Sequence, residues 1–137
     1  MNSEETLKRI SEFHGHLGPF VVVGYRMGVM ANRLLGADPF GKTALALTGG
    51  KPPKSCLIDG IQLSSGCTLG KGLIGVVDQG EVAAVFMSKG RKATYWISLK
   101  NAIAEQIAAA SHKELEPLAV GLYSLAEDEL FDVYHEE

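Results

Sequence analysis

The sequence predicts an α+β fold: a mixed β-sheet, one early strand plus a three-strand antiparallel meander, covered by helices. Three observations lead there. Apolar residues recur at helical spacing up to Gly36, strand-like apolar runs cluster between 42 and 99, and helical composition returns from Lys100 onward. The chain has 137 residues, 46% of them hydrophobic and 21% charged, enough for one packed core, so a single domain over 1–137 is expected.

Residues 3–12 read as a short helix, with Ser3 as N-cap, Glu5 in its first turn, and Leu7 and Ile10 three apart. A His-Gly-His segment follows. Pro19 suits the first turn of a longer helix, whose apolar positions Phe20, Val23, Met27, Met30 and Leu34 run to Gly36. Gly24, Gly28 and Ala31 form a strip of small residues along it, which suits tight packing against another backbone. KTALALTGG alternates like a strand, and the Lys-Pro-Pro-Lys run 51–54 breaks it. SCLIDGIQLSS reads as a helix with Ser55 as N-cap and Gly66 as the stop. GLIGVVD, EVAAVFMS and ATYWISL read as three strands, joined by hairpins at Gln79-Gly80 and at 89–92. The rest reads as helices, interrupted near Pro117 and Gly121 and ending in an acidic turn.

A formal net charge of -3 disfavours a nucleic-acid or anionic-membrane surface, which needs an excess of Lys and Arg. The opening MNSEETLKRI has no basic segment followed by an apolar core, so a cytoplasmic location is expected. Arg26, Asn32 and Arg33 interrupt the most apolar window and mark it as a soluble helix, so no membrane partner is expected either. Two cysteines make no disulfide framework; each thiol is a buried, reactive or metal-bound group.

GADPFGKT, 36–43, matches the phosphate-loop pattern G-x-x-x-x-G-K-[ST], and LIGVVD imitates its companion acidic strand. A phosphate loop needs a strand before it and a helix after it. Here a helix ends at Gly36 and a strand begins near Thr43, and Pro39 removes one backbone N–H, so the match is set aside. GCTLGKG, 66–72, is one residue short of the pattern and reads as a helix cap and turn.

Cys56 falls in the first turn of its helix, behind Lys51 and Lys54, where unpaired N–H groups lower a thiol pKa. Cys56, Asp59 and Gln62 share a face opposite Leu57, Ile58 and Ile61. That face is either a functional stripe or simply solvated, and Cys56 is either reactive or a small buried hydrophobe. In an extended segment His14 and His16 would project to the same side, with Gly15 allowing close backbone approach. Two imidazoles and one or two thiolates suit zinc or another borderline divalent metal; alternatively the pair are ordinary loop residues. His112 and His135 fall in polar segments and read as exposed.

Taken together, FHGHLGPFVVVGYRMG and the later CLIDGIQLSSGCTLGKG resemble the FmdE family of formylmethanofuran dehydrogenase components over roughly residues 10–100. The resemblance implies an α+β core domain, usually a homodimer, with a metal-binding or catalytic pocket. Carried over by position, Cys56, Asp59 and Gln62 would be its catalytic group, and His14, His16, Cys56 and Cys67 would hold a divalent metal, zinc by expectation. Some relatives carry a cysteine where this chain has Gly18, and some add a C-terminal zinc finger for which this chain has too few cysteines. Two functional expectations follow. One is a metal-binding domain doing redox or hydrolytic chemistry linked to one-carbon metabolism and methanogenesis. The other is a non-catalytic, dimeric accessory or scaffold component of a larger molybdenum or tungsten enzyme complex, associated with an oxidoreductase.

Overall fold

A computed structural model of the chain describes every residue except Arg91 and Glu137. The described residues form helices α1 (Ser3–His14), α2 (Pro19–Leu35), α3 (Cys56–Ser65), α4 (Asn101–Ala109), α5 (Leu115–Ser124) and α6 (Glu127–Leu130). Five strands, β1 (Lys42–Ala46), β2 (Ile74–Val76), β3 (Ala83–Ser88), β4 (Thr94–Leu99) and β5 (Phe131–Glu136), make one mixed sheet in the order β2-β1-β3-β4-β5. The α+β class expected from the sequence is therefore the one observed.

The connectivity differs from the expectation in two places. β2 runs parallel to β1, and β3 pairs antiparallel on the other side of β1, so the Gln79-Gly80 turn is a crossing between strands that do not touch rather than a hairpin. The segment expected to end as a helix is β5, paired antiparallel with β4 from Phe131↔Leu99 to Glu136↔Thr94. The meander is thus β3-β4-β5. Phe131 and Val133, opposite Leu99 and Ile97, share one face of β5 and Tyr134 pairs with Trp96 on the other, a pattern outweighed in a local reading by its acids.

The helices and sheet share one core, in which Val22, Met27, Leu57, Ile61, Phe86 and Ile97 are buried. Its tightest seam joins α2 to α3. A Cβ on Gly24 would overlap the Leu57 carbonyl, and one on Gly60 would overlap the backbone of Val21 and Tyr25. Only glycine lets the two backbones approach this closely, and the approach fixes which residues of α3 face α1. No described helix is long and apolar enough to cross a membrane.

The phosphate-loop lookalike connects α2 to β1, the order that excludes a cradle facing a helix N-terminus. The Lys42 side chain is fully buried and donates to the Gly36 carbonyl at 3.0 Å, while Lys71 donates to the Pro39 carbonyl at 3.0 Å. Lys42 braces its own loop, and Lys71 braces the same loop from the turn after α3.

Candidate functional site

His14 is the last residue of α1, and Gly15 closes the helix at φ 107°, its N–H donating to the Ser11 carbonyl at 2.7 Å. The His-Gly-His segment is therefore a helix end and a left-handed turn, not the extended run expected. The outcome for the imidazoles is similar: the His14 and His16 ring centroids lie 5.0 Å apart, tilted by 39°. His14 is mostly buried and His16 is exposed. Gly18 borders them, since a Cβ there would stand 3.1 Å from His16 Nε2.

Asp59, one turn into α3, reaches α1. Its Oδ2 accepts from His14 Nδ1 at 2.7 Å across 45 residues of sequence. With Nδ1 as the donor, His14 keeps Nε2 as a lone-pair donor toward a proton or a metal. A carboxylate behind an imidazole in this way fixes its tautomer and ring orientation.

Cys56 opens α3, but without the anion-stabilising end expected of it. Ser55 makes no side-chain cap, and the turn before the helix uses up the free donors. Cys56 N–H goes to the Pro53 carbonyl, Leu57 N–H to Lys54 and Ile58 N–H to Ser55, at 3.1, 3.1 and 3.0 Å. Burial, with the negative charge of Asp59 added, pushes the thiol up rather than down, against a smaller opposite effect of backbone hydrogen bonding. At neutral pH Cys56 is a thiol.

His14, His16 and Cys56 line the same cavity, of about 1460 Å³, whose remaining walls come from the start of α2, the Lys51–Lys54 turn, the segment before β3, the end of β4, and α4 with the start of α5. Most of that lining is apolar.

The other expected site residues are elsewhere. Gln62 Oε1 accepts from the Leu69 N–H at 2.9 Å, which ties down the chain after α3. Cys67 is fully buried in the core with Sγ 3.5 Å from the Lys42 carbonyl, beyond the opposite end of α3 from Cys56. The structure thus gathers His14, His16, Asp59 and Cys56 and leaves Gln62 and Cys67 out. Among the described residues no three His, Cys, Asp or Glu side chains stand close enough together to hold an ion. Two imidazoles and a thiol are donor types that zinc accepts, and Asp59 stands behind one of the imidazoles.

Two lining residues are not marked as site components by the sequence: Lys51 reads only as a neighbour of Cys56, and His112 reads only as an exposed residue. His112 reaches the cavity because the turn after α4 is fastened by Ser111 and Glu114, each bonding the other's backbone. The S-x-x-E spelling of that capping box is the available signal. His135 stacks on Tyr95 at 4.2 Å across the β4–β5 pair, away from the site.

A family model described as "FmdE, Molybdenum formylmethanofuran dehydrogenase operon" matches residues 13–132, which includes both motifs and runs from the end of α1 to the start of β5. The chain belongs to the FmdE family. Its fold matches the crystal structure of a tungsten formylmethanofuran dehydrogenase FmdE-like protein from Syntrophus aciditrophicus, with a TM-score of 0.67 over 100% of this chain and 73% of that one. At 19% identity this likeness concerns the FmdE fold. The chain is also 38% identical over 88 residues to a probable S-adenosyl-L-methionine-binding protein of Archaeoglobus fulgidus, a match covering 61% of this chain and 23% of that protein.

Proposed function

We propose that this FmdE domain binds a divalent metal, zinc by donor chemistry, through His14, His16 and Cys56, which draw together on binding, and uses it on a small molecule held in the adjoining cavity. The observation that carries the reading is the 2.7 Å contact from His14 Nδ1 to Asp59, which presents an oriented imidazole beside a second imidazole, in a cavity that Cys56 also lines. Zinc would supply Lewis acidity for redox-neutral, hydrolytic chemistry. Asp59 would hold His14 in one tautomer, and the half-buried thiol of Cys56 would give up its proton on ligation, so affinity would rise with pH. Metal analysis and zinc titration of untagged protein test this. About one zinc per chain, lost in His14→Ala, is expected; no stoichiometric metal would overturn it.

The accessory reading, a cytoplasmic homodimer serving a larger one-carbon enzyme system, draws support from the sheet. Leu45, Val85, Trp96 and Tyr134 lie directly opposite one another across β1, β3, β4 and β5, and Trp96 and Tyr134 are 38% and 64% exposed. Such a row suits pairing with a second copy. Sedimentation of the wild type and of Trp96→Glu distinguishes the cases: a dimer that the substitution dissociates supports it, and a monomeric wild type does not.

A further inference from the structure

We infer that the cavity takes an elongated amphipathic molecule whose acidic end faces the histidine wall. This rests on the reading of the cavity as the functional site and adds the class of its ligand. At about 1460 Å³ the space exceeds the roughly 300–1,000 Å³ of ordinary small-molecule sites, so it has room for more than a metal-bound water or a one-carbon fragment.

The chemistry of the walls is unequal. The lining contributed by residues 14–21 and 48–56 includes His14, His16, Lys51 and Lys54 and no carboxylate. Lys54 is held in place by its bond to the Gly80 carbonyl at 2.9 Å. The carboxylates of the lining, Glu81, Glu105 and Glu116, come from the segment before β3, from α4 and from α5. Asp59 already partners His14, and His112 lies among the carboxylates, so the asymmetry rests on Lys51 and Lys54, which draw an acidic group to their end of the lining. The lining also includes Phe20, Val82, Leu99, Ala104, Ile107 and Leu115, a surface that gains by burying a hydrocarbon chain. A short, wholly polar ligand would leave that surface wet.

The test is calorimetric titration of metal-free protein with decanoate, decanol and decylammonium at one ionic strength. Decanoate binds saturably at one per chain, and decanol and decylammonium bind about fivefold or more weakly. Lys51→Glu, an exposed position, weakens decanoate about tenfold and leaves decanol unchanged. Ala104→Trp, which fills the cavity, removes decanoate binding while circular dichroism reports a folded protein. Absence of saturable decanoate binding, equal affinity for decanol, or indifference to Lys51→Glu would overturn the inference. Zinc titration without decanoate reads the metal proposal separately, so a protein that binds zinc but not decanoate fails only the ligand class, and one that binds decanoate but not zinc fails only the metal.

Discussion

The two ends of α3 carry the same functional group in opposite circumstances. At its start Cys56 is half-buried at the wall of the cavity, with Asp59 pairing to His14. Beyond its end Cys67 is buried against the Lys42 carbonyl, and Gln62 spends its side chain on the Leu69 N–H. Equal spacing on a helical face did not give equal roles. What separates them is the third body at each end: α1 brings an imidazole to the first, while β1 and the turn after α3 close over the second.

The contrast can be broken most forcefully at the seam that sets α3 against α2. Gly60→Ala pushes a methyl into the backbone of Val21 and Tyr25 and should cost about 3 kcal/mol, read by denaturant unfolding, with zinc binding impaired in parallel. Thiol labelling of the native, metal-free protein comes next. Cys56 should react with iodoacetamide while Cys67 waits for opening of the core, a difference of about tenfold or more in rate, and equal rates would place Cys67 at the surface. Cys67→Ala should lower stability by about 1 kcal/mol, because a buried sulfur is removed, whereas Cys56→Ala should cost less than about 0.5 kcal/mol. The smallest effect is electrostatic. The Cys56 thiol is held above the pKa of an unperturbed cysteine by burial first and Asp59 second, so its alkylation should reach half-maximum at a higher pH than a free thiol. Asp59→Asn should shift that profile downward and speed the reaction by about threefold below it.

Much of this was legible in the residues. Pro19 and Gly36 bounded α2, Gly66 ended α3, and the small-residue strip of α2 anticipated a close helix contact, which Gly24 and Gly60 supply. The pairing order of the sheet was not legible, because β2 and β3 are near in sequence yet flank β1, and nothing local says that β1 inserts between them. β5 was hidden by Asp132 and Glu136, exposed residues of an edge strand that a local reading assigns to a solvated helix. At the site, the residue types were readable and their partition was not. The direction of the Cys56 shift depended on how far the thiol is buried and then on the charge of Asp59, and neither follows from its place at a helix start, whose N–H groups the turn through Pro52 and Pro53 engages.

Zinc titration of three metal-free proteins tests the partition of α3 most directly: the wild type, Cys56→Ser and Cys67→Ser. About one zinc per chain bound by the wild type and by Cys67→Ser, and none by Cys56→Ser, is the predicted result. Loss of zinc in Cys67→Ser with binding kept in Cys56→Ser would contradict it.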